Sequence, residues 1–220
     1  MTQTTALISC ADRYMGPAIM KKFSELEYRV LGDNRPLLNE TDCNALIHDS
    51  GNIDILVANL AEPPRLGPVQ SIENEDWQSL IQAMVDPLMY LVRAVVPQML
   101  ERGAGKIIAI TSAAPLKGIA NGSAYCAARG AQNAFIKAVG LELARSNIQV
   151  NAIAQNYINN NTYYPDALLE DEKFLNHVKR NVPRNAVGSA EETAELAAYL
   201  AQPHSKHMVA QVIPLAGGWV

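Results

Sequence analysis

Short apolar runs and apolar stripes at helical spacing take turns along this chain. The run TTALIS ends in a turn and predicts a first strand. GPAIMKKFSELE then sets Ile19, Met20, Phe23 and Leu26 at helical spacing. YRVLG reads as a second strand, and TDCNALIHDSG as a short helix with Thr41 or Asp42 as its cap. IDILVAN is uninterruptedly apolar, as strands buried on both faces of a parallel sheet are. A long helix is expected over about 75–101, and Pro87 and Pro97 inside it predict a kink or break. KIIAITS is a fourth strand ending at Ser112, followed by a small-residue helix beginning GSAYCAARGA. IQVNAIA is a fifth strand and leads into the polar loop QNYINNNTYYPD. Two helices, about 170–181 and 190–201, precede a last strand, QVIPLAGG.

Strands alternating with helices, with no repeat, linker or low-complexity tract, predict one doubly wound α/β domain over residues 1–220. Its parallel sheet would be flanked by helices on both faces. Ligands in such sheets bind beyond the carboxyl ends of the strands. Ser9, Asn59, Ser112 and Gln155 all stand at predicted strand ends, so the loops after them should converge on a site.

Composition removes several function classes. The net charge is −4, with 18% charged residues and no basic patch, which argues against nucleic acid as a partner. Asp, Arg or Lys interrupts the longest apolar runs before they reach the length of a membrane span. The N-terminal MTQTTALIS lacks the basic region and apolar core of a signal peptide. Cys10, Cys43 and Cys126 are scattered and odd in number, so a reducing, cytoplasmic setting is expected and no disulfide framework. Each reads as a small packed side chain. His204 and His207 lack the further ligands a metal site needs, so no metal is expected. His48 and His177 read as surface residues, and Trp77 as packing near a helix start.

Chemistry concentrates in Ser112, Tyr125 and Arg129, a Ser-x12-Tyr-x3-Arg pattern. A tyrosine normally loses its proton near pH ~10. Acting as a base near neutrality requires that value to fall by roughly 2–3, worth about 3–4 kcal/mol. A cation four residues on lies one helical turn away and can supply it. Arginine stays charged when partly buried and offers a rigid fork of donors. A helix-face coincidence would also place Tyr and Arg one turn apart. Ser112 closing the preceding strand, and the altered first loop, weigh against that.

Nearly the whole chain resembles the short-chain dehydrogenase/reductase superfamily, through Ser112, Tyr125, VPQML, IQVNAIA and the late AGG. That likeness implies a Rossmann-like domain. It departs wherever such reductases hold a dinucleotide. The glycine-rich turn reads SCADRYMG and keeps only Gly16. The Asn-Asn-Ala-Gly after the third strand reads ANLAEP, the lysine is Arg129, and the tetrad asparagine falls near Met84 or Val85. The halohydrin dehalogenases are the more similar pattern. Their Ser-x12-Tyr-x3-Arg signature is met in full, and their Thr-x4-Phe/Tyr-x-Gly is met by Ser9, Tyr14 and Gly16 with serine for threonine.

The resemblance implies a cofactor-independent enzyme that closes vicinal haloalcohols to epoxides, releasing halide and a proton. It would also open epoxides with halide, azide, cyanide or nitrite. Ser112 would hold the substrate oxygen, Tyr125 would take its proton, and Arg129 would activate Tyr125 directly or through a water. The halide would lie in a nest of backbone N–H groups at Gln155, Asn156, Tyr157 and Ile158, with aromatic edges from Tyr14 and Tyr164. Many members have proline where Gln155 stands, and some have an aspartate, here Leu60, beside the arginine. Asn159, Asn160 and Asn161 read as a solvated lid. A homotetramer is implied, in which a C-terminal segment, here bearing Trp219, can approach a neighbouring site. The alternative is a divergent NAD(P)-dependent reductase of the same superfamily.

Overall fold

The computed structural model describes residues 3–220. In chain order the elements are β1 Thr5–Ser9, α1 Gly16–Glu25, β2 Arg29–Asp33, α2 Glu40–Ser50 and β3 Ile55–Ala58. Next come α3 Asn74–Met84, α4 Asp86–Arg102, β4 Gly105–Ser112, α5 Ala114–Lys117 and α6 Ser123–Leu143. The last are β5 Ile148–Gln155, α7 Asp166–Leu169, α8 Glu172–Asn181, α9 Ala190–Ala201 and β6 Val212–Leu215.

The six strands form one sheet in the order β2-β1-β3-β4-β5-β6, and every pair is parallel. Period-2 alternation assigns each strand residue to one of two buried faces. Leu7, Leu56, Ile107 and Val150 pack with Leu46, Leu91, Val95 and Ile136 from α2, α4 and α6. Ile8, Val57, Ile108 and Ile153 face Ile19 and Phe23 of α1 and Ala194 and Ala197 of α9. This is the doubly wound α/β architecture expected. Phe23 is wholly buried, and its truncation to alanine would cost about 3–5 kcal/mol.

The expected long helix is two helices. It breaks at Val85, because Pro87 stands in the first turn of α4. There its missing N–H is harmless. Pro97 lies inside α4 without ending it. The apolar face of α4 packs on the sheet through Leu88, Leu91, Val92, Val95 and Met99. The start of α2 also differs from expectation. Asn39, not Thr41 or Asp42, caps it and accepts from the Asp42 N–H, so Thr41 and Asp42 lie inside the first turn. Trp77 is 43% exposed and is therefore not the packing residue the sequence suggested.

The chain runs from β1 outward to β2 and then returns to β3 on the other side of β1. This reversal opens a crevice at the carboxyl ends of β1 and β3. Ser112 and Gln155 are in register at the ends of β4 and β5. Ser9 ends β1 and Asn59 follows β3, so all four strand-end residues meet on one edge of the sheet.

Candidate active site

Tyr125 lies in the first turn of α6 and Arg129 one turn further on; both are buried. The contact between them is direct, without the intermediary that a water would provide. Arg129 Nε donates to the Tyr125 hydroxyl oxygen at 3.1 Å, and the guanidinium carbon lies 5.3 Å from the Tyr125 ring centre. Ser112, at the end of β4, is buried, and its Oγ accepts from the Ala114 N–H at 3.1 Å. The Ser112 hydroxyl therefore keeps its own proton for another acceptor. Asn133 fixes the Ser112 backbone by donating Nδ2 to its carbonyl, while Asn133 Oδ1 is buried without a partner among the described residues.

The remaining donors of Arg129 go to neutral acceptors. Nη1 bonds Leu60 O and Gln132 Oε1, both at 2.9 Å, and Nη2 bonds the Tyr163 hydroxyl at 3.2 Å. No carboxylate pairs with it among the described residues; the backbone carbonyl of Leu60 stands where the resemblance pointed to an aspartate side chain. Burial pulls the guanidinium toward deprotonation, but attraction to Tyr125 and Tyr163 and their hydrogen bonds outweigh it. The net direction is upward, so the cation persists.

Three successive carbonyls organise this cluster. Leu60 O serves Arg129, Ala61 O accepts from the Tyr14 hydroxyl at 2.7 Å, and Glu62 O accepts from the Tyr163 hydroxyl at 2.6 Å. Gln132 completes the arrangement by donating to Met84 O at the α3–α4 break. Sequence reasoning missed both Tyr163 and Gln132. Gln132 carried one signal, its position three residues after Arg129 on the same helix face. Tyr163 carried none, since only the folded loop brings it to the arginine.

Ser112, Tyr125, Tyr14, Gln155, Ile158 and Tyr164 line one cavity of about 90 Å³. The structure thus gathers the catalytic and anion-binding candidates, Asn156 and Tyr157 included, around a single space. The donors of the 155–158 turn are allotted differently from the expected nest. The Asn156 N–H is bonded to Leu215 O, and the Tyr157 N–H to Asn156 Oδ1. Among the described residues this leaves the Ile158 N–H without an acceptor. The Gln155 side chain accepts from the buried Thr193 hydroxyl through Oε1, and among the described residues its amide hydrogens have no acceptor.

The surrounding loop is an aromatic wall. Tyr157 stacks on Tyr164 at 5.6 Å, and the Tyr157 hydroxyl meets His177 Nε2 at 3.0 Å. His177 is exposed, as the sequence suggested, and contacts the loop from the surface. Trp219 packs edge-on against Tyr157 of its own chain at 6.2 Å, held by Lys117. Asn160 is buried, bonding Ile158 O and accepting from the Thr162 and Tyr163 N–H groups, so it is the frame of the loop and not a solvated lid residue. Burial pushes Tyr14, Tyr157, Tyr163 and Tyr164 all upward from the usual tyrosine value. These four phenols remain protonated near neutrality.

The residues present do not fit a dinucleotide. Such a ligand needs free backbone N–H groups in the turn after β1 and at the start of α1. Here the Ala11, Asp12, Arg13 and Gly16 N–H groups are bonded to Asp33 O, Asn34 Oδ1, Cys10 O and Arg13 O. Pro17 has none to offer. Asn59 Nδ2 ties down the Cys10 and Arg13 carbonyls at 2.9 and 3.0 Å. Gly16 is required because a Cβ there would lie 2.5 Å from two of the turn's own carbonyl oxygens. Tyr14, at φ +51°, is turned so that its ring packs 5.8 Å from Tyr163.

Comparison with known proteins gives two kinds of similarity. The family model described as enoyl-(acyl carrier protein) reductase matches residues 40–220. The 2-dehydro-3-deoxy-D-gluconate 5-dehydrogenase of Bacillus subtilis is 31% identical over 81% of this chain and 69% of its own length. Among solved structures, one described as a dehalogenation enzyme superposes with a TM-score of 0.93 at 26% identity, covering 100% of this chain and 99% of that one. A halohydrin dehalogenase bound to ethyl (2S)-oxiran-2-ylacetate gives 0.89 at 27%, covering 98% and 96%.

Proposed function

The chain belongs to the short-chain dehydrogenase/reductase family, and on that scaffold we propose a dehalogenase that converts vicinal haloalcohols to epoxides without a nucleotide. The observation that carries this reading is the direct Arg129–Tyr125 contact beside a first turn in which the Ala11, Asp12, Arg13 and Gly16 N–H groups already have acceptors. Likeness to the two dehalogenase structures supports it.

In the reaction, Ser112 donates its hydroxyl proton in a hydrogen bond to the substrate oxygen. Tyr125, as the phenolate stabilised by Arg129, takes the proton from that substrate hydroxyl. The alkoxide oxygen attacks the neighbouring carbon from behind, and the carbon–halogen bond breaks as the carbon–oxygen bond forms. The halide leaves with the bonding pair toward the Ile158 N–H and the Gln155 amide. Tyr125 then passes its proton to solvent, so one halide and one proton appear per epoxide. In reverse, a small anion enters the same turn and opens an epoxide, whose oxygen recovers the proton from Tyr125.

The three cysteines are unpaired, which fits a reducing cytoplasm. A homotetramer would cover the exposed Trp77, Leu100 and Leu141 of α3, α4 and α6, and solution scattering would give its mass.

One observation favours a second reading, a divergent NAD(P)-dependent reductase: the curated relative at 31% identity is a dehydrogenase. Incubation of an epoxide with azide decides between them. Azidoalcohol formed without nucleotide supports the dehalogenase. No product, together with NAD(P)H oxidation on a ketone, supports the reductase.

A further inference from the structure

The Arg129 guanidinium touches two phenols, and their hydroxyls are not equivalent. Tyr125 OH accepts from Nε at 3.1 Å. Tyr163 OH accepts from Nη2 at 3.2 Å and donates its own proton to Glu62 O at 2.6 Å. A carbonyl only accepts, so losing the Tyr163 proton would break the shorter bond and face a bare phenolate toward a carbonyl oxygen. We propose that Tyr163 is a positioning residue: as a phenol locked in its protonated form, it holds Arg129 in place and leaves Tyr125 as the partner that takes up the cation's charge.

Among the described residues the cation has no charged hydrogen-bond partner. Leu60 O and Gln132 Oε1 are neutral, and Glu62 reaches this cluster's hydrogen bonds through its backbone carbonyl alone. Other titratable groups near the pair are Tyr14 and Tyr164, whose hydroxyls go to Ala61 O and Asn156 Oδ1, and the Glu62 carboxylate, whose charge acts on Tyr14. Tyr163 thus supplies a neutral acceptor that leaves the positive charge undiminished. Its bond to Glu62 also ties the 156–165 loop across the site to the segment after β3.

The inference rests on Tyr125 being the base, and its first test needs no substrate. Tyrosinate absorbance is followed against pH in the wild type, Tyr125→Phe and Tyr163→Phe. The first phenol to ionise should vanish in Tyr125→Phe and move to higher pH in Tyr163→Phe, where water enters beside the freed guanidinium. Its survival in Tyr125→Phe and loss in Tyr163→Phe would place the charge on Tyr163 and overturn the proposal. The second test is the pH dependence of kcat/KM on one haloalcohol. Tyr163→Phe should lose about tenfold at pH 7 through an acid limb moved up by about one pH unit, with KM nearly unchanged. An unmoved limb would make Tyr163 merely structural. Should Tyr163→Phe not fold, Tyr125→Phe alone decides by whether the early phenol disappears. That absorbance arm stands whether or not haloalcohols are turned over.

Discussion

Arg129 and Tyr125 lie one helical turn apart on α6, and the arginine Nε donates straight to the tyrosine hydroxyl at 3.1 Å. The reductase pattern that the chain resembles has lysine at this position. Here four N–H groups of the first turn are already committed, and each of the three guanidinium nitrogens finds an acceptor within the protein.

Arg129→Lys should therefore keep part of the activity with a displaced pH dependence, because a cation remains but the fork does not. Arg129→Gln should lose far more. Loss of the cation beside Tyr125 should cost roughly a hundredfold in rate at neutral pH. The deficit should shrink as pH rises. Steady-state rates across pH, on samples matched by circular dichroism, check this; a near-normal rate with an unmoved profile for Arg129→Gln would make the arginine structural.

Neither NADH nor NADPH should bind measurably. The Ala11, Asp12, Arg13 and Gly16 N–H groups already have acceptors, and Tyr14 is locked to Ala61 O. Tyr14→Gly alone should not restore binding, since those donors stay committed. Calorimetry reads both directly, and micromolar affinity in the wild type would contradict the account.

Bromide soaked into crystals should appear in the cavity beside the Ile158 N–H and the Gln155 amide. Gln155→Leu removes the amide hydrogens and should weaken bromide binding several-fold while leaving Ser112 and Tyr125 in place. Anomalous density found only elsewhere would refute this location.

Much of the scaffold was legible because burial writes itself into sequence. Ile55–Ala58 is apolar and covered on both faces, so its run is uninterrupted. Ser112, Tyr125 and Arg129 were legible because a strand end and one helical turn fix their spacing. The partners of Arg129 were not. Leu60 acts through a carbonyl that any residue possesses, and Tyr163 arrives from a loop whose path depends on the buried Asn160. The donor shortage in the 155–158 turn was equally hidden, because Leu215 of β6, far along the chain, takes the Asn156 N–H. The start of α2 was misjudged by a few residues because three polar side chains compete there and only one, Asn39, has the extended backbone of a cap.

Lys106 offers a check on the fold away from the site. Burial foremost, then repulsion from Lys206, lowers its pKa to about 8 from 10.5. The unfolded chain holds this proton more tightly, so charged Lys106 destabilises the fold below pH about 8. That penalty fades as pH rises from there toward 10.5. The stability difference between the wild type and Lys106→Met should therefore move in the wild type's favour over this window. Denaturant titrations at several pH values measure it, and a pH-independent difference would contradict the shift.

The central claim is that Tyr125, driven by Arg129, expels halide without a redox partner. The most direct measurement follows halide and acid together as a vicinal bromoalcohol is mixed with nucleotide-free enzyme. The account predicts one halide and one proton per epoxide, a rate indifferent to added NADPH, and no turnover by Tyr125→Phe. Halide release that requires NADPH, or that persists in Tyr125→Phe, would contradict it.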